Sequence, residues 1–113
     1  MGADNLSLFR GTLDLLILNA LRMGEKHGYA VSEWIAAATD GTLLVEEGTL
    51  YPALHRLARR RLVQATWGVS ENNRRAKYYS LTAAGRRRLE EEASTWRRYS
   101  EAVAKALAEG GTA

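Results

Sequence analysis

The 113-residue sequence contains no cysteine, a single proline and no long apolar run. The absence of cysteine excludes disulfides, thiolate metal sites and a cysteine nucleophile, and it suits a reducing compartment, so we expect a cytoplasmic protein. The longest apolar stretch, residues 13–23, is interrupted by polar residues and falls short of the ~20 residues that a membrane helix needs. We therefore expect no membrane segment.

Motifs for catalysis and for metal binding are also missing. The two histidines, His27 and His55, are far apart in the chain, and no GxSxG, HExxH or phosphate-binding glycine loop occurs. The scattered carboxylates give no convincing set of metal ligands. We expect neither an enzyme nor a protein with a metal or cofactor.

Length and composition are those of one folded domain. Hydrophobic residues make up 46% of the chain and charged residues 26%, which is typical of a packed globule. Chains divide into several cores only beyond roughly 250 residues. We expect a single compact unit.

The charged residues are distributed unevenly. Net charge is +3, yet residues 55–88 hold ten of the 16 basic residues and one of the 13 acidic residues. Such a block is typical of proteins that bind a polyanion, because each neutralised phosphate releases counterions. A solvated face is the alternative, so the block indicates a partner only if the fold presents it on one surface.

Hydrophobic spacing predicts two helices in the N-terminal half. The first, residues 6–23, is apolar around most of its circumference, so we expect one face in its own core and another against a second chain. The second, residues 27–39, ends at an Asp-Gly pair. Residues 43–45 are predicted to form a very short strand.

A third helix is predicted over residues 50–60. Thr49 is the expected N-cap, which leaves Pro52 in the first turn, where its missing N–H removes no hydrogen bond of the helix. Leucines at every third or fourth position form its buried stripe. This stripe turns four polar side chains outward or to the flanks: Tyr51, His55, Arg56 and Arg59.

A hairpin and a last helix complete the chain. Residues 62–67 and 76–81 are rich in β-branched and aromatic residues, and they flank a polar loop, 68–75, which predicts a hairpin with an arginine-rich tip. Thr82 caps a final helix that extends to about residue 109. Its narrow apolar stripe is suited to packing against another helix.

This order of elements is that of a winged helix-turn-helix, mainly α with a small β-hairpin and an added C-terminal dimerisation helix. We expect residues 1–81 to form the DNA-binding domain, including the N-terminal helix, and residues 82–113 to form the dimerisation helix. In this architecture the third helix enters the major groove and the hairpin tip reaches a neighbouring groove or backbone. Seven of the ten clustered basic residues fall on these two elements, so charge and scaffold agree.

Several short motifs stand at characteristic places: GTLDLLIL at 11–18, HGYA at 27–30, EEGTLYPALHRL at 46–57, WG at 67–68, RRAKYYSL at 74–81 and TAAG at 82–85. In this combination they resemble the PadR family of transcriptional regulators, in its compact form with a single short C-terminal helix. Two positions depart from the family pattern, since Arg61 and Asn73 stand where the family commonly has glycine. The resemblance implies a homodimer built from the first and last helices. It also implies a palindromic operator, usually repression, and in many members release by a small molecule.

The candidate DNA-binding residues lie at the start of the second helix, on the third helix and on the hairpin. They are His27, Thr49, Tyr51, His55, Arg56, Arg59, Arg74, Arg75 and Lys77. We expect Arg56 to pair with a base edge, because arginine to guanine is the commonest specific contact. The hairpin cations are expected on phosphates. Packing under the hairpin is the alternative for Tyr51, and solvation is the alternative for the charged side chains.

The expected dimer interface takes apolar residues from the first and last helices. They are Phe9, Leu13, Leu16, Leu89, Ala93, Trp96, Val103 and Leu107. Some PadR-like proteins hold flat aromatic compounds between paired tryptophans at the dimer centre. The resemblance therefore implies a candidate aromatic effector site at Trp96, with Leu8, Leu15 and Asn19 lining the same cavity, although packing is the alternative for Trp96.

One other class of function fits the same fold. A winged-helix module that binds another protein, without an effector, would also carry basic residues on its surface. Salt dependence separates the two, because DNA binding weakens steeply and linearly on a log–log plot.

Overall fold

The computed structural model describes residues 11–109, which form four α-helices and a three-stranded antiparallel sheet. In chain order the elements are α1 (Thr12–Ala20), β1 (Lys26–His27), α2 (Gly28–Ala38), α3 (Glu47–Arg59), β2 (Val63–Val69), β3 (Arg75–Leu81) and α4 (Ala83–Leu107). The strand order in the sheet is β1-β3-β2. This architecture confirms the expected winged helix with a C-terminal helix.

The hydrophobic core lies where α1, α2 and α3 meet the sheet. Ile17 of α1, Ile35 of α2 and Leu54 of α3 are completely buried there, and Tyr79 covers them from the central strand. Leu89 adds the beginning of α4 to the same core. The rest of α4 runs beyond this core, and every residue from 101 to 109 is exposed.

Thr82 joins the sheet to α4 in the way that the sequence predicts. Its hydroxyl oxygen accepts a hydrogen bond from the Gly85 amide at 3.0 Å and donates to the Arg61 carbonyl oxygen at 2.7 Å. Gly85 packs directly against the Leu62 carbonyl, where a Cβ would overlap that oxygen. The first turn of α4 is thereby held against the start of β2.

The predicted strand at residues 43–45 is wrong. These residues have no regular secondary structure, and the third strand of the sheet is β1, which precedes α2. Lys26 and His27 pair with Tyr79 and Tyr78 along the edge of β3 that faces away from β2. A strand of two residues is too short to show the alternation of apolar and polar residues from which strands are predicted.

The predicted start of the third helix is also wrong. The helix begins at Glu47 with Glu46 as N-cap, so Thr49 lies within its first turn and does not cap it. Pro52 therefore lies one turn further in than expected. Because proline has no N–H, the Gly48 carbonyl loses the donor that would bond to it in a regular helix.

The remaining bounds differ by a few residues. α1 ends at Ala20 rather than at residue 23, and its predicted first residues, 6–10, lie outside the described part of the chain. β2 extends to Val69, which leaves a tight turn at the hairpin tip. There the Ser70 amide donates to the Arg74 carbonyl at 2.7 Å, and Asn73 has a φ of 60°.

Candidate nucleic-acid interface

The outward face of α3 lies opposite its buried stripe. Leu50, Ala53, Leu54 and Leu57 are buried, which places an exposed line of residues on the other side of the helix: Gly48, Pro52, His55 and Arg59. His55 and Arg59 thus point to solvent, as expected from the sequence. This face carries no long side chain in its first half and is basic in its second half.

Arg56 lies on the flank of α3 that faces α1. Its guanidinium Nη2 is 2.7 Å from Oδ1 of Asp14, and Arg60 Nη1 is 3.7 Å from the other carboxylate oxygen. The Arg56 side chain remains 46% exposed. Asp14 could not be found from the sequence, because no local pattern connects it to a residue 42 positions away.

Tyr51 lies on the opposite flank of α3, against the first residue of α2. A Cβ on Gly28 would stand 2.6 to 2.8 Å from the outer end of the Tyr51 side chain, so a larger residue would displace the Tyr51 ring. Burial raises the pKa of Tyr51, and the nearby Glu47 carboxylate raises it further. The phenol is therefore a neutral hydroxyl at physiological pH, half-buried between the helices.

His27 has a structural role at the start of α2. Its Nδ1 accepts a hydrogen bond from the Ala30 amide at 3.2 Å, which caps the helix. The imidazole also meets the Tyr78 ring edge to face, at 5.7 Å between ring centroids. Both contacts fix the ring at the junction of α2 and the sheet.

The hairpin of β2 and β3 carries cations stacked on an exposed tryptophan. Trp67 pairs with Lys77, and Val69 with Arg75, so the four side chains share one face of the hairpin. The Arg75 guanidinium lies 4.4 Å from the centroid of the Trp67 ring, and Lys77 Nζ lies 5.7 Å from it. Cation–π attraction holds both charges over the ring. Trp67, which is 58% exposed, is absent from the predicted site residues.

The exposure of the nine predicted DNA-binding residues separates them into two groups. Six are exposed: Thr49, His55, Arg56, Arg59, Arg74 and Arg75. Three are half-buried: His27, Tyr51 and Lys77. All members of the exposed group lie on α3 or at the hairpin tip.

A second feature is an apolar groove of about 860 Å³ between α1 and α4. Leu15 from α1 faces Trp96, Tyr99 and Val103 from α4 across this groove. The Trp96 and Tyr99 rings lie 6.0 Å apart, at an angle of 38°. The groove thus presents two aromatic faces to solvent.

Comparisons with known proteins agree with this architecture. The profile of the transcriptional regulator PadR-like family matches residues 17–91. The chain belongs to the PadR-like family of transcriptional regulators. This membership confirms the resemblance drawn from the motifs, and the family is one of regulators rather than enzymes.

Solved structures of PadR-like and other regulators have the same fold. A transcriptional regulator from Clostridium thermocellum is 30% identical, with a TM-score of 0.76 over 85% of this chain and 93% of its own. A PadR-like regulator from Bacillus cereus is 31% identical, with a TM-score of 0.75 over 87% of this chain and 93% of its own. Bacillus subtilis PadR in complex with operator DNA is 22% identical, with a TM-score of 0.67 over 76% of this chain and 48% of its own.

The predicted effector residues of this PadR-like protein are only partly brought together. Leu15 and Trp96 both line the groove. Asn19 lies instead in a smaller hollow of about 420 Å³ near Arg22 and Arg97. Leu8 lies outside the described residues.

The predicted dimerisation residues occupy different environments in the single chain. Leu89 is 5% exposed and belongs to the core, while Leu13 and Leu16 are half-buried against it. Ala93 is half-buried at the smaller hollow, and Phe9 lies outside the described residues. The exposed apolar residues of α4 are Trp96, Tyr99, Val103 and Leu107. Tyr99 was missed by the sequence analysis, although it stands three positions after Trp96.

Between residues 11 and 109, no helix is both long enough and apolar enough to cross a membrane.

Proposed function

We propose that this PadR-like regulator binds double-stranded DNA sequence-specifically, with α3 in the major groove and the β2–β3 hairpin on the adjacent backbone. In this proposal α3 is the recognition helix and the hairpin is the wing. The observation that carries the proposal is the exposure of four arginines on these two elements: Arg56, Arg59, Arg74 and Arg75. Guanidinium groups suit both guanine edges and phosphates.

The contacts divide by role. Arg56 is proposed to read a base, since it lies on the recognition helix and its side chain is 46% exposed. DNA must then compete with Asp14 for its guanidinium. Arg75 is proposed to bind phosphate, because the Trp67 ring stacks on its guanidinium and holds it on the hairpin. His55, Arg59, Arg74 and Lys77 would supply further backbone contacts.

A pair of substitutions tests this division of roles. Arg56→Ala is expected to lower the ratio of operator affinity to affinity for scrambled DNA, whereas Arg75→Ala should weaken binding to both DNAs equally. Arg98→Ala, on the exposed surface of α4, is the control for loss of one positive charge. Fluorescence anisotropy titrations on a site selected from a random duplex library give both affinities. An unchanged ratio in Arg56→Ala would remove Arg56 from base reading.

We infer that the protein acts as a homodimer on a palindromic operator. The exposed stripe of α4 supports this, because Trp96, Tyr99, Val103 and Leu107 leave apolar area in water that a second copy would cover. A two-fold dimer presents two recognition helices to two inverted half-sites. The division into a DNA-binding part, residues 1–81, and a dimerisation helix, residues 82–113, stays a prediction.

We further propose that the regulator represses transcription and that a flat aromatic compound in the α1–α4 groove releases it from DNA. The paired rings of Trp96 and Tyr99 beside Leu15 support stacking of such a compound. The test is a screen of planar aromatic compounds for displacement of a labelled operator. Trp96→Leu should abolish displacement, measured relative to the operator affinity of the variant itself. Equal displacement from the variant would exclude this groove.

A further inference from the structure

Gly48 differs from the other glycines between residues 11 and 109. Three of those have a positive φ, where a side chain would strain the backbone: Gly11, Gly24 and Gly41. At three more, an added Cβ would crowd a tyrosine ring or a carbonyl group: Gly28, Gly68 and Gly85. Gly48 has no positive φ, and its Cβ would meet no atom within 4 Å. The fold of the single chain gives no reason for glycine at this position.

Glycine at this position also disfavours the local structure. Gly48 is the second residue of α3, a helix of 13 residues, and it is exposed. Glycine loses more backbone entropy in a helix than alanine does. An alanine would therefore stabilise α3, so any benefit of glycine must lie outside the chain.

The position of Gly48 on the helix indicates where that benefit lies. Gly48 shares the outward face of α3 with Pro52, His55 and Arg59. The first half of this face has no long side chain, so a partner lying along α3 can approach the helix backbone itself. Arg59, in the second half, suits the phosphates of that same partner.

Pro52 changes the chemistry of the backbone at Gly48. In a regular helix the amide of residue 52 would donate to the carbonyl of residue 48. Proline has no N–H, so this donor is missing. The Gly48 carbonyl therefore lacks its usual helical donor, and it belongs to an exposed residue of the outward face.

We propose that Gly48 is a specificity-determining residue that reads DNA through its backbone. The missing side chain admits a base edge to the helix, and the Gly48 carbonyl accepts a hydrogen bond from the exocyclic amino group of an adenine or cytosine in the major groove. Of the base edges there, only adenine N6 and cytosine N4 present amino donors. The inference rests on the proposed function, in which α3 enters that groove.

The first experiment compares Gly48→Ala with the wild type on a site that the full-length wild type selects from a random duplex library. Gly48→Ala is expected to raise the thermal midpoint yet to weaken operator binding about tenfold, with little change on scrambled DNA. Ser94→Ala, on an exposed position of α4, is the control for added helix propensity and should leave both affinities unchanged. A lowered thermal midpoint would contradict the inference, because it would assign Gly48 to the fold.

The second experiment tests the carbonyl directly. Pro52→Ala restores a backbone amide that donates to the Gly48 carbonyl, so the carbonyl is no longer available to a base. This variant should therefore also lose its preference for the operator over scrambled DNA. In parallel, base analogues without the exocyclic amino group replace each adenine or cytosine of the selected site in turn. One analogue should weaken binding of the wild type severalfold but leave binding of Pro52→Ala unchanged.

The outcomes separate this inference from the proposed function. If the wild type selects a site and Gly48→Ala binds it as tightly, the reading by Gly48 is wrong and DNA binding stands. If no analogue distinguishes the wild type from Pro52→Ala, the carbonyl is not an acceptor. If the wild type selects no sequence, the proposed function and this inference are both wrong.

Discussion

Arg61 ends α3 in a backbone conformation that is unfavourable for an L-amino acid. Its φ is 63°, and its amide donates to the Ala58 carbonyl at 3.0 Å. The Leu62 amide donates to the Leu57 carbonyl, also at 3.0 Å, which completes a Schellman motif. Glycine is the usual residue at this position, because a side chain there costs free energy.

We therefore expect Arg61→Gly to raise the free energy of unfolding by about 1 kcal/mol. Urea denaturation followed by circular dichroism measures the change. Arg60→Gly is the matched control, since Arg60 has a φ of −81° and should lose stability when its side chain is removed. A lower midpoint for Arg61→Gly would show that the Arg61 side chain stabilises the helix end by more than its strain costs.

The ion pairs between α1 and α3 share one carboxylate. Asp14 pairs with Arg56 and Arg60, so it neutralises part of the charge that faces the proposed DNA. Both arginines are more than a third exposed, and an exposed pair of this kind contributes only about 0 to 1 kcal/mol to folding. Its larger effect is expected on binding.

Asp14→Asn is expected to strengthen binding to scrambled DNA, because it frees Arg60 for a phosphate, and to strengthen operator binding further, because it also frees Arg56 for a base. The slope of log K against log salt should also become steeper. Asp40→Asn, at the end of α2, makes the same change in net charge away from α3 and is the control. Identical salt slopes for the two variants would show that Asp14 does not keep the arginines from contacting DNA.

The helices and the hairpin could be predicted from the sequence because each has a strong local signal. Thr82 caps α4 as expected, and the β-branched and aromatic residues of β2 and β3 form the hairpin. The start of α3 could not be placed, because Thr49 is a good N-cap and nothing local favours Glu46 over it. β1 could not be found, since it is a strand only through pairing with β3.

The sequence predicts which charged residues of the candidate interface are exposed, but it does not predict the side-chain contacts between the helices. Arg59, Arg74 and Arg75 are exposed as their positions in the pattern suggest. Asp14 and the packing of Tyr51 on Gly28 depend on how helices cross, which helical periodicity does not specify. Gly48 was overlooked because its role is evident only when the space around each glycine is known.

The assembled molecule is expected to be a dimer held by α4. Val103→Glu places a charge in the exposed stripe beside Trp96 and Tyr99, and a buried unpaired charge is costly. We expect this variant to sediment as a monomer of 12.5 kDa, with a loss of operator affinity. Ser94→Glu, on the opposite face of α4, should remain dimeric. A dimeric Val103→Glu protein would show that the interface lies elsewhere.

The most direct test of the account is a titration of the wild-type protein against DNA from its own upstream region, beside scrambled DNA, at several salt concentrations. We predict binding that favours one sequence and weakens linearly on a log–log plot, with a slope of about −0.9 for each phosphate contacted. Equal binding to both DNAs would mean that the operator lies elsewhere. Absence of binding to either DNA at low salt would contradict the account and favour a protein partner for the basic surface.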